Sequence, residues 1–182
     1  MQFISTKIPG VILIKPKVFG DSRGYFMESY RHDLFVNHIG PVKFIQDNES
    51  KSEYGVLRGL HYQVPPYAQA KLVRAVTGHV LDVAVDLRTE SLTYGRHIAV
   101  ELSEENKHQL YIPRGFAHGF VVLSQTAIFG YKVDAPYAPE HERGIYYADV
   151  ELGIDWRLPE SVIQLSAKDR KWPMRRDNRC KV

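Results

Sequence analysis

The chain has 182 residues, 44% of them hydrophobic and 25% charged, with a formal net charge of +3, the profile of one globular domain with a substantial core. Seven of the 24 Lys/Arg and two of the 21 Asp/Glu fall between Lys168 and Val182, leaving 17 basic against 19 acidic residues in the body, so no global basic bias points to nucleic acid. No apolar run reaches membrane-spanning length, MQFISTKIPG lacks a signal-peptide pattern, and the lone Cys180 favours a cytoplasmic protein.

Residues 1–182 read as a single domain with a basic tail over 168–182, and WPMRRDNRCKV reads as a solvated, partly disordered terminus. VILIKP opens with a short apolar run. Phe19-Gly20-Asp21-Ser22-Arg23-Gly24 reads as a turn into an aromatic, strand-like stretch ending at Tyr30. Residues 31–39 are the one fair helix candidate, with Leu34, Phe35 and His38 on one face and a stop at Gly40-Pro41. Short strands are predicted over 42–46, 97–102, 109–112, 120–123, 128–133 and 145–147. Between the first two of these, Leu81, Val83, Val85 and Leu87 alternate with Asp82, Ala84 and Asp86 at a period of two. Many short strands with Gly- and Pro-bearing turns argue for an all-β, closed or double-sheet architecture, and 12% aromatics suit a lined interior.

The stretch from Gly55 to Lys71, GVLRGLHYQVPPYAQAK, concentrates the chemistry. Alternate residues of a strand face the same way, so His61 and Gln63 share a face with Gly59. After the turn Val64-Pro65-Pro66, Lys71 opens the next apolar run, KLVRAV. An imidazole and an ammonium can thereby point into one cavity, the first to take a proton and the second to hold negative charge on oxygen. Of the eight histidines, His32, His38, His97, His108 and His141 lie among polar neighbours and read as surface residues. His118, in IPRGFAHGF, follows a Pro113–Gly115 turn into an apolar strand. There a hydrogen-bonded structural histidine and a functional one weigh about equally.

Gly55 with His61, and Pro113-Arg114-Gly115-Phe116-Ala117-His118 later, together resemble the paired motifs of the cupin superfamily. In metal-binding cupins the first motif carries two histidines and a glutamate, and the second another histidine. Here Gln63 stands in the second histidine's place, and no Glu or Asp lies between His61 and Lys71. Two imidazoles without a carboxylate or a third make a poor metal site, so no metal is expected.

More specifically, the chain resembles the dTDP-4-dehydrorhamnose 3,5-epimerase family almost end to end, through PKVFGDSRGYFMESY, QDNESKSEYGVLRGLHYQ, PRGFAHGF, GIDW and LSAKDRKWP. The resemblance implies a cupin-type jelly-roll β-barrel with a few short helices, usually paired as a homodimer. It implies inversion of C3 and C5 of dTDP-4-keto-6-deoxyglucose to give dTDP-4-keto-L-rhamnose, without cofactor or metal. It makes His61 the base, paired with Asp169 as its orienting carboxylate, and Lys71 the group that holds the C4 oxyanion. Tyr131, in FGYKVD, would return a proton from the opposite face; the plainer reading is a core aromatic with its hydroxyl capped. C3 and C5 both flank C4, so one base and one enolate-stabilising group can serve both centres.

At the nucleotide end, Arg23 and Arg58 suit forked hydrogen bonds to diphosphate oxygens. Phe19 and Phe26 could stack on thymine, with Glu28, Gln46 and Asn48 as polar contacts, although aromatics are the readiest to be merely structural. The resemblance also implicates His118, Glu142 and Lys168 around the ligand, and has Arg23 and its N-terminal neighbours reach a site shared with the partner subunit. Tyr137, in DAPYAPEHERG, stands where the family often bears an aromatic near the sugar. Trp172 and the basic end beyond it match no familiar pattern. The rivals are a single-centre epimerase or ketoisomerase on a related dTDP-4-keto-6-deoxy sugar, a metal-dependent cupin such as a dioxygenase, and a non-catalytic sugar-nucleotide binding module.

Overall fold

The computed structural model describes residues 1–177, so Cys180 and the end of the basic tail lie outside the described residues. The strands are β1 (Gln2–Ser5), β2 (Ile12–Lys15), β3 (Val18–Asp21), β4 (Gly24–Met27), β5 (Gln46–Glu53), β6 (Leu57–Gln63) and β7 (Lys71–Thr77). They continue as β8 (His79–Asp86), β9 (His97–Ser103), β10 (Gln109–Ile112), β11 (Phe116–Val122), β12 (Thr126–Val133) and β13 (Glu142–Gly144). One α-helix, α1 (His32–Ile39), and four short 3₁₀ turns complete the described elements. One sheet runs β1-β2-β10-β7-β12-β5, the other β13-β6-β11-β8-β9, and β3 pairs with β4 as a separate hairpin. The result is the all-β, cupin-type jelly roll that the sequence leads one to expect.

Three apolar clusters hold it. Val73 and Phe129 of the first sheet meet Val80, Leu102 and Phe120 of the second to fill the space between them. Val73, Val80 and Leu102 are fully buried, and burial of such side chains is worth about 1.5–3 kcal/mol each. On the outer face of the first sheet, Ile14, Leu72 and Tyr111 take Phe35 of α1. The helix ends as predicted at Gly40, whose φ of 112° suits glycine and whose N–H donates to the Val36 carbonyl at 3.0 Å. On the outer face of the second sheet, Leu81, Val83 and Val85 lie under the later chain, against Tyr147, Leu152 and Trp156.

That cover changes the meaning of the alternation in β8. Leu81, Val83 and Val85 face the covering chain, while Asp82 and Asp86 share the inward face with Val80 and Ala84. Both aspartates are 0% exposed. Asp86 accepts hydrogen bonds from Arg88, Ser91 and Thr93, which outweigh the cost of burial and bring its carboxyl down to about 2.

Other expectations are corrected. The segment read as a turn at 19–24 is mostly the two strands of a hairpin. Residues 42–45 are not a strand; β5 begins at Gln46 and pairs along its whole length with β12. Its tint of burial alternates, with Gln46, Asn48, Ser50 and Ser52 inward of the exposed Asp47, Glu49, Lys51 and Glu53. The strand near 145–147 ends at Gly144. The first half of the basic tail is packed rather than solvated: Asp169–Lys171 form a 3₁₀ turn, the Pro173 carbonyl accepts from the Tyr146 N–H at 2.8 Å, and the Arg175 N–H donates to Asp149 at 2.6 Å.

Candidate active site

Arg58 and His61 are three residues apart, so a regular strand would turn them to opposite faces. β6 is not regular. His61 pairs with His118 but Arg58 pairs with Phe120, so three steps on β6 oppose two on β11. Gly59 sits in this bulge at φ 142°, and a Cβ there would come within 2.5 Å of the Gly119 Cα. The close approach of two glycines re-phases the strand. Arg58 and His61 consequently line the same cavity, of about 1010 Å³.

The first sheet supplies the facing wall. Lys71 shares its inward face on β7 with Val73, and Tyr131 shares its face on β12 with Phe129. The polar inner row of β5 brings Gln46 and Asn48, whose side chains are joined at 2.8 Å. Arg58 lies beside the same strand, its Nε donating to Ser52 Oγ at 3.0 Å. His118, Tyr137, Glu142, Lys168 and Asp169 complete the predicted residues around the cavity.

His61 Nε2 and Asp169 Oδ1 are 2.5 Å apart. Burial alone would raise Asp169, but hydrogen bonds from His61, Ser166 and Trp172 outweigh it and keep its carboxyl below the usual range. An ionised carboxylate only accepts, so Nε2 carries the proton and the Nδ1 lone pair is left to act as a base. Lys71 is pulled down to about 8 by burial, opposed by the carboxylates of Asp82 and Glu142. His118, 7% exposed, bonds through Nε2 to Asp82 Oδ2 at 2.8 Å, and burial pulls it below the ordinary histidine range. Burial raises the Tyr131 phenol, which therefore keeps its proton at neutral pH. At the mouth, Glu142 accepts from the Tyr137 hydroxyl at 2.7 Å and from Lys168 at 2.8 Å, linking two walls.

Gln63 has a structural task. Its amide donates to the carbonyls of Tyr67 and Pro136 and accepts from the Ala138 N–H. Among the described residues, no group of three or more His, Cys, Asp or Glu side chains could hold a metal ion.

Phe19, Arg23, Phe26 and Glu28 do not line this cavity. The first three stand on the β3–β4 hairpin with Phe19 and Phe26 at 51% and 65% exposure; Arg23 pairs with Asp21 at 2.6 Å, and Glu28 lies 3.7 Å from Arg31. Among the residues at the site that were not predicted are Asp82 beneath His118, and Trp172 against His61 and Asp169. Asp82 was legible only as part of an alternating strand, and Trp172 only as an aromatic three residues past Asp169.

A family model described as dTDP-4-dehydrorhamnose 3,5-epimerase matches residues 5–177. The chain belongs to that family. It is similar to the dTDP-4-dehydrorhamnose 3,5-epimerase of Pseudomonas aeruginosa, with 56% identity over 181 residues and 99% of each chain covered. The crystal structure of the epimerase from Elizabethkingia anophelis superposes with a TM-score of 0.95 at 50% identity, covering 99% of both chains. That of the Legionella pneumophila epimerase, solved in complex with dTDP-4-keto-L-rhamnose, superposes with a TM-score of 0.91 at 48% identity, covering 95% of this chain and 92% of that one.

Proposed function

We propose that this chain is the 3,5-epimerase its family describes, converting dTDP-4-keto-6-deoxyglucose to dTDP-4-keto-L-rhamnose through an enolate. The observation that carries this reading is the placement of His61 on one sheet and Tyr131 on the other, opening into one cavity with Lys71. Inversion at carbon needs a proton taken from one face and a proton given to the other, and two facing sheets supply two faces.

In the proposed reaction His61 Nδ1 takes the proton alpha to the C4 ketone. The electron pair left behind moves onto O4, where the Lys71 ammonium offsets the charge. The Tyr131 hydroxyl then delivers its proton to the opposite face of the same carbon. Exchange with water returns the proton from His61 and restores the phenol. Repeating the cycle at the second carbon flanking C4 uses the same groups. Asp169 holds the imidazole in its Nε2–H form and offsets its positive charge once Nδ1 is protonated.

Arg58 is assigned to the diphosphate, with Gln46, Asn48, His118, Tyr137, Glu142 and Lys168 around the nucleotide and sugar. The exposed β3–β4 hairpin, with Phe19, Arg23, Phe26 and nearby Glu28, is assigned to the cavity of a second subunit in a homodimer. Its apolar, outward-facing side chains support that reading. No helix of the described residues is long and apolar enough to cross a membrane.

The test is incubation of the substrate in deuterated water, with the product followed by NMR. The wild-type chain should place deuterium at C3 and C5 with inversion. His61→Asn should stop both exchange and inversion. Tyr131→Phe should still exchange, because His61 can return a deuteron to the original face, while inverted product falls by roughly a hundred-fold, the loss usual for a general acid. Near-normal inversion by Tyr131→Phe would sink the two-face assignment.

A further inference from the structure

The residue that the sequence leaves without a role sits against the proposed base. Trp172 Nε1 donates to Asp169 Oδ1 at 3.2 Å, the same oxygen that takes the hydrogen bond from His61. The indole and imidazole rings meet edge to face with centroids 6.0 Å apart. Trp172 is held from behind, since the carbonyl of Pro173 accepts the backbone N–H of Tyr146 at 2.8 Å.

Gly144 is the residue of β13 directly across from His61 on β6. A Cβ at Gly144 would come within 2.3 Å of Trp172 Cδ2 and 2.4 Å of Cε2. The indole fills the space that any side chain opposite His61 would otherwise occupy. The absence of a side chain at 144 and the large ring at 172 are thus two halves of one arrangement, and its polar end lands on the catalytic carboxylate.

We propose that Trp172 is a positioning residue that fixes the Asp169 carboxylate and thereby locks His61 in the tautomer with Nδ1 open to the sugar. An indole N–H can only donate, and so it fixes Oδ1 as an acceptor and anchors the carboxylate from a second direction. Without the indole the carboxylate keeps only His61 and Ser166 and can swing with the imidazole ring. With it, the carboxylate cannot follow the ring without giving up the Trp172 bond. This rests on the reading of His61 as base.

The test uses Trp172→Phe, which keeps an aromatic ring but removes the N–H. The His61 tautomer is read from imidazole ¹⁵N shifts at a pH where the ring is neutral, and kcat and KM are measured alongside. Wild type should show the Nε2–H form alone. The variant should show a mixture of both tautomers, with kcat lower by roughly ten- to hundred-fold, the scale of a misplaced catalytic group, and KM within about two-fold. A single locked tautomer in the variant, an unchanged kcat, or a loss carried by KM alone each overturns the proposal. If the phenylalanine leaves a gap that unfolds the chain, benzothienylalanine at position 172 fills the ring volume and lacks only the N–H, and the same outcomes apply. The tautomer is read without turnover. A chain with no epimerase activity would therefore defeat the functional reading alone and leave the ¹⁵N shifts to judge Trp172.

Discussion

At the scale of single residues, the site separates charges by burial. Lys71 is held at about 8, so its ammonium is the predominant form at neutral pH and disappears as pH rises through that value. The proposed enolate needs the charged form, so kcat/KM should decline on the alkaline side with a limb near 8. Lys71→Arg keeps a cation that does not titrate in this range. It should be slower, because a planar fork replaces a point charge, but the alkaline limb should disappear. An arginine variant with the same limb would assign that titration to another group. His61 and Lys71 were legible in the sequence as candidates for the cavity because few residue types do such chemistry and both fall on short apolar strands. Asp82 was not, because the same alternation that reveals a strand cannot say which of its faces meets solvent. The answer came from residues 145–158, which cover the outer face of β8 and turn its aspartates inward.

At the scale of elements, the decisive feature is the bulge in β6. Local composition announced the strand but not its change of phase, which depends on Gly119 of a strand about 60 residues later. An alanine at 59 would need both the unfavourable φ of 142° and space now occupied by the Gly119 backbone. Backbone strain of this kind costs about 1–3 kcal/mol before any steric term. Gly59→Ala should therefore lower the melting temperature and, by releasing the register, weaken dTDP binding through Arg58. Calorimetry against dTDP and a thermal melt check the two effects together; an alanine variant with wild-type affinity would mean that Arg58 does not depend on the bulge. β5 teaches the opposite lesson. QDNESKSE has no apolar residue to mark a strand, yet uncharged side chains alternate with charged ones at a period of two. The signal was present in polarity rather than in hydrophobicity, because one face of this strand lines a polar cavity instead of a core.

At the scale of the whole molecule, the jelly roll was legible from many short strands and turns, while the position of the C-terminal segment was not. Basic composition suggested a solvated end from Trp172 onward, yet Trp172 packs against His61 and Asp169, beside the expected Lys168 and Asp169, because specific hydrogen bonds fix a stretch that lacks hydrophobic periodicity. The β3–β4 hairpin is exposed and does not line the cavity, with Arg23 at 87% side-chain exposure. If it completes a second subunit's site, Arg23→Ala should weaken dTDP binding about ten-fold or more, the worth of a hydrogen bond to a charged group. Sedimentation should show a dimer at the same concentrations. Full affinity in a monomeric chain would leave the hairpin without that task.

The burial of β8 on both faces also divides the cavity into parts of different stiffness. β8 lies between β11 and β9 in its sheet, and apolar clusters press on it from either side. Its amides can exchange with solvent only when the whole molecule opens. β5 is an edge strand with pairing along one side and charged residues on its outer face, so it can loosen in local excursions that leave β8 closed. Asp82 and His118 are thereby carried on a floor that does not breathe, whereas Gln46 and Asn48 stand on a wall that can yield to admit a bulky nucleotide and settle again around it.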